Sequence, residues 1–252
     1  MKKLSASFIA KSLTAVALAV SAGASFAAST WTLNNCTNCT GTNGAGNVTV
    51  TAFAVGTAAG AQYAAETIGF NGTSGLGVLS GGESGSPQHA VDNADRTDAL
   101  LLNFGTQVEL DAVKIGWNNG GGYDSDVSLF RYTGAGAPTL AGKTIAGLAA
   151  AGWTLVGNYA DLAENVNKNV NTSNTSSSWW LVSAYNSSFG TTTSDGGAIT
   201  GGGAVGNGND FFKFLSVTGT PTSKVPEPGS LALLGLGLVG LVATRRRKQA
   251  SV

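Results

Sequence analysis

Between residues 28 and 224 the chain is built of short segments with period two, most of them bounded by Gly or Asn turns. Residues 47–55 (NVTVTAFAV) alternate small apolar and polar side chains. Residues 98–104, 108–117, 126–133, 153–160, 178–186 and 211–219 are further short apolar or alternating runs. A period of two places successive side chains on opposite faces of a strand. Asn43-Gly44, Asn71-Gly72, Asn118-Asn119-Gly120 and Asp195-Gly196 supply the turns between them. The pattern predicts an all-β body, an antiparallel β-sandwich of jelly-roll type with long Gly/Asn/Ser loops. Residues 139–152 are the one helix-like stretch, and their glycines weaken it. Residues 165–178 and 190–209 are polar or Gly-rich and read as exposed loops.

The two ends follow different rules. Lys2, Lys3 and Lys11 precede or flank the apolar residues 12–22, and Ser25-Phe26-Ala27 offers small residues at the cleavage positions. This is the layout of a secretory signal peptide over residues 1–27, read by the Sec translocation machinery. At the other end Pro226-Glu227-Pro228 is followed by the uncharged residues 230–244, then by Arg245, Arg246, Arg247 and Lys248. The apolar run is short against the ~20 residues a membrane helix needs, and snorkelling arginines extend it. Such a basic cluster stays cytoplasmic, which puts the body on the outer side. Pro226 and Pro228 keep the preceding segment extended, in a form a protease can grip.

A Pro-Glu-Pro, an apolar helix and an Arg-rich end in that order resemble the PEP-CTERM sorting signal of bacterial proteins handled by exosortase. The resemblance implies an inner-membrane precursor that a transpeptidase-like exosortase cuts near Pro226, Glu227 and Pro228. The body is then released or attached at the cell surface, or held in the extracellular matrix of a bacterium that makes exopolysaccharide and biofilm. The mature protein would keep no membrane helix. The chain thus divides into a signal peptide (1–27), a body (28–218), a spacer (219–225) and the sorting signal (226–248).

Seven of the 14 basic residues and one of the 14 acidic ones lie in the two signals, so residues 28–224 carry a net charge of −6. A mildly acidic domain is not built for nucleic acid or anionic lipid. Just under 200 residues is enough for one real core.

Candidate chemistry is sparse. Cys36 and Cys39 are the only cysteines, and in an exported chain such a pair reads first as a structural disulfide. A redox pair or a zinc site are the alternatives, although His89 is the only histidine. Ser84, Ser86, His89 and Asp92 are too close in sequence to make a hydrolase triad by themselves, and no Gly-x-Ser-x-Gly surrounds either serine. The chain therefore reads as non-catalytic, with a secreted hydrolase the least favoured function.

Residues 89–93 (HAVDN), 98–105 (DALLLNFG) and 108–117 (VELDAVKIGW) resemble the opening of discoidin-type carbohydrate-binding jelly rolls. The tryptophan usual after the Asp turn of that family is absent. Asp92, Asn93, Asp95 and Asp98, with Asp124 and Asp126, supply enough hard oxygens for a structural calcium ion. Solvated turn carboxylates are the alternative. Trp179 and Trp180 are neighbours on one predicted strand, so one faces inward and the other outward, where it could stack on a sugar. Two readings of the body stand first: a structural matrix component, and a carbohydrate-binding module of that matrix.

Overall fold

The computed structural model describes residues 27–81, 87, 89–118, 123–190 and 209–222. Nearly all of the predicted signal peptide and the whole sorting signal lie outside these residues, as do Ser84 and Ser86. Among the described residues no helix is long and apolar enough to cross a membrane.

The body is all-β. Its strands are β1 (Ser29–Thr32), β2 (Asn38–Thr40), β3 (Asn47–Gly56), β4 (Ala64–Phe70), β5 (Leu76–Leu79), β6 (Val91–Asp92) and β7 (Arg96–Trp117). They are followed by β8 (Val127–Tyr132), β9 (Trp153–Tyr159), β10 (Lys168–Asn169), β11 (Ser176–Ala184) and β12 (Phe211–Pro221). All named pairings are antiparallel. The main path runs β1-β12-β5-β4-β3-β7-β11-β8-β9. A further pairing of β12 with β7 closes β12, β5, β4, β3 and β7 into a ring.

β7 organises this ring. Its first half, Arg96 to Asn103, pairs with β3, and its second half, Val108 to Trp117, pairs with β12. The change of partner falls at Gly105, whose φ of +67° is one that L side chains rarely adopt. Sequence reading makes these two strands separated by a Gly turn. The correction is physical: the ladder with β11 runs along both halves, so the chain bends at the glycine without reversing.

The apolar run in residues 98–102 explains why this strand is buried on both faces. Leu100, Leu102, Val108, Leu110 and Ile115 enter the main core with Trp31, Trp180, Phe212 and Phe214. Ala99 and Leu101 point the other way, into a second core with Tyr63, Phe130, Leu148 and Trp153. The segment 139–152 covers that second core through Leu140 and Leu148. It does so as consecutive turns, not as the helix its Ala and Leu content suggests. Gly142 (φ +78°) and Gly152 (φ +90°) impose the turn geometry.

Three other expectations change. β1, with the fully buried Trp31, is a strand that the turn pattern does not announce. The loop at 165–178 contains β10 and the buried Asn171, whose side chain bonds Leu110 O and Thr175 O. β12 also takes in residues 219–221, assigned above to the spacer, because Gly219 to Pro221 continue the ladder with β7. Cys36, two residues before β2, and Cys39, within β2, form a disulfide, S–S 2.05 Å.

Candidate functional site

The start of β12 brings distant acids together. Asp124 and Asp210 meet in an isolated parallel bridge, held by Asp124 N to Asn209 O at 2.9 Å and Phe211 N to Asp124 O at 2.9 Å. Asp126, two residues on, donates its backbone N–H to Asp210 Oδ1 at 2.7 Å. One carboxylate oxygen from each of Asp124, Asp126 and Asp210 lies within 4.8 Å of the others. Asp126 and Asp210 are fully buried, and Asp124 is half-buried.

The surroundings fix these groups without neutralising them. Asp126 Oδ1 also accepts from Asp161 N at 2.9 Å, and Asp124 Oδ1 accepts from Ser125 N at 2.8 Å. Asn93 clamps Asp210 from both sides: its Nδ2 donates to Asp210 Oδ2, and its Oδ1 accepts from Asp210 N at 3.0 Å. The same Nδ2 donates to Tyr185 O at 2.8 Å. Burial, and next the charge of Asp126, raise the carboxyl of Asp210 well above the usual range. Burial also raises Asp124, with a contribution from Asp161. The Tyr185 hydroxyl is pushed up by burial and then by Asp126 and Asp210. Carboxylates gathered this closely in a largely buried site suit one hard divalent cation, because calcium takes its ligands from oxygen.

Of the six oxygen donors expected from sequence, three come to this centre: Asp124 and Asp126 as carboxylates facing each other, and Asn93 as the clamp on Asp210. Asp95 is exposed on its turn. Asp92 and Asp98 are buried elsewhere, where both favour the charged form of Lys213. Asp210 was missed, since it stands beyond the Gly-rich run of residues 190–209. The signal available was Asn209-Asp210 immediately ahead of the apolar Phe211-Phe212. Asp161 was missed as well; it has a φ of 50° and lies in no strand.

The tryptophan pair divides by face. Trp180 is fully buried and donates from Nε1 to Ser177 O at 3.0 Å. Trp179 is half-buried and lines an open groove of about 540 Å³ with Gln107, Arg131, Tyr132, Ser176 and Ser178. A second groove, of about 460 Å³, passes Asn93, Thr97 and Asn186 and has no aromatic lining.

Beyond β12 the chain enters a different kind of segment. Residues 224–248 match the family model of the PEP-CTERM protein-sorting motif. The chain is a PEP-CTERM sorting-domain protein. Sorting through this motif implies processing by exosortase and export to the cell surface. Neither the curated proteins nor the solved structures include a match to the chain. The motif begins three residues after Pro221, the last residue of β12.

Proposed function

We propose that this PEP-CTERM protein is a non-catalytic component of the cell surface or of the exopolysaccharide matrix. In this reading Sec exports it, the inner membrane holds it as a precursor, and exosortase cuts it near Pro226-Glu227-Pro228. The observation that supports this most is the position of the sorting motif against the end of β12. Cleavage there removes the apolar tail and leaves the ring of strands whole. The two cores on either side of β7 support a jelly-roll-like sandwich as the architecture of the released body.

The test is expression of the full chain, tagged within the body, in a host with and without exosortase. A shortened product ending near Pro226 is expected only with the enzyme. An identical product in both hosts would sink the processing step.

Carbohydrate binding is the second reading, favoured by the Trp179 groove. An aromatic face beside Arg131, Gln107 and serine hydroxyls matches what a sugar ring offers: apolar C–H faces and a polar edge. Calorimetry with the host's own extracellular polysaccharide decides it. Saturable binding lost in Trp179→Ala supports a matrix lectin, and no binding leaves the structural role. Calcium at Asp124, Asp126 and Asp210 would serve either role by tying the start of β12 to the segment before β8.

A further inference from the structure

We propose that Lys213 on β12 and Asn71 at the β4–β5 turn are joined by an intramolecular isopeptide bond that seals the ring of strands. The proposal is independent of whether the body binds sugar. It starts from the weakest seam in the ring: β12 meets β5 in a single registered pair, Phe214 with Leu76. Every other junction in the ring has at least three.

The turn beside that seam is pressed into place. A Cβ on Gly75 would stand 2.3 Å from Phe214 O, and one on Gly116 would stand 2.4 Å from Ser74 O. The turn is closed by Ser74 N to Asn71 O and Asn71 N to Gly75 O, both at 3.1 Å. Asn71 is therefore held at a fixed distance from β12. Its Nδ2 donates to His89 O at 3.4 Å, and Lys213 Nζ donates to that same oxygen. The amide and the amine thus converge on one atom, in a cavity of about 240 Å³ lined by Asn71, Ser74, His89, Trp117 and Lys213.

The surroundings suit condensation. Lys213 is 2% exposed, and Nζ lies 5.2 Å from the centre of the Trp117 ring. Asp92 pairs with Phe211, so its side chain shares a face of β12 with Lys213, two residues along. Asp98 Oδ2 accepts from Asp92 N at 3.3 Å. Burial lowers the amine to about 7, so a large fraction is neutral and nucleophilic near neutral pH.

The step balances without a co-reactant. Neutral Nζ attacks Cγ of Asn71 and forms a C–N bond. The carboxyl of Asp92 takes the proton that Nζ sheds and delivers it to Nδ2. The Cγ–Nδ2 bond breaks, and ammonia leaves. The product ties β12, three residues downstream of the acidic centre, to the strand pair it otherwise barely touches. Tension applied at the C-terminus of β12 would then pass to β4 and β5 through a covalent bond.

The test is a peptide map of the purified, denatured and reduced full chain by mass spectrometry. A branched peptide joining the segments around Asn71 and Lys213, lighter by one ammonia than their sum, is expected. Lys213→Arg and Asn71→Ala should each abolish the branch, and Asp92→Asn should lower its yield. Linear peptides with intact Asn71 and tryptic cleavage after Lys213 would overturn the proposal. So would a branch lighter by one water, which would join Lys213 to an aspartate instead. If a variant fails to fold, the map of the unaltered chain decides alone.

Discussion

Asp210 and Lys213 stand three residues apart at the start of one strand, yet they belong to opposite kinds of buried charge. Around Asp210 the neighbours are carboxylates, Asp126 and Asp124, and burial pushes its carboxyl towards the neutral form. Around Lys213 the neighbouring carboxylates of Asp92 and Asp98 oppose the effect of burial. While Lys213 is a free amine, the second cluster carries its own counter-charge. The first gathers like charge, and only protons or an added cation relieve it. The number of acidic residues in a region therefore does not reveal a cation site; the balance of charge around them does. Asp92 and Asp98 count as ligands in the sequence and as partners of a lysine in the fold.

The largest effect should come from unbalancing the Lys213 cluster. While Lys213 is a free amine, Lys213→Met leaves Asp92 and Asp98 buried without their cation, and breaking a buried charge cluster in this way costs about 3–5 kcal/mol. Urea unfolding at neutral pH measures it, and adding Asp92→Asn and Asp98→Asn should return much of the loss. The pH dependence sharpens the test. A free Lys213 amine has a folded pKa of about 7, below the ~10.4 of an unfolded lysine. Between those values the unfolded chain binds the extra proton, so stability rises with pH across that window and is lowest below it. A crosslinked chain has no such amine and should lack the slope.

A smaller effect is expected at the acidic centre. Calcium at a hundred times its dissociation constant should add about 2.7 kcal/mol to unfolding. Asp210→Asn should abolish that response, because it removes a carboxylate of the centre. Thermal melts in calcium and in EDTA read both effects. Identical melts for the unaltered chain would remove the cation from this centre.

How much of this was legible in the sequence depended on distance along the chain. The strands at residues 47–55 and 126–133 were readable because alternation is local. Asp124 and Asp126 could be paired by eye for the same reason. Asp210 could not, since 84 residues separate it from Asp126 and only the bridge to Asp124 brings it there. The fate of residues 139–152 was hidden for another reason. Their composition suits a helix, but Leu140 and Leu148 must reach the second core, and the left-handed glycines at 142 and 152 favour turns. Residues 98–104 and 108–117 read as two separate strands because a glycine such as Gly105, with φ of +67°, serves a turn and a bend equally well. Strand pairing chose the bend.

The smallest expected effect separates the two ways of counting acids. Asp95 lies on the turn between β6, which ends at Asp92, and β7, which contains Asp98, and it is exposed. Asp95→Asn removes a charge that neither buried cluster uses, so stability should stay within about ±0.5 kcal/mol of the unaltered chain. Its calcium response should also be unchanged, in contrast to Asp126→Asn, which deletes a buried carboxylate of the centre. The same melts with and without calcium compare the two variants. If Asp95→Asn weakened the response as much as Asp126→Asn, the 92–98 segment would be the ligand set after all. The division of β12 into a cation-seeking end and a self-balanced end would then fail, because a solvated turn carboxylate would be doing what only a desolvated one should do.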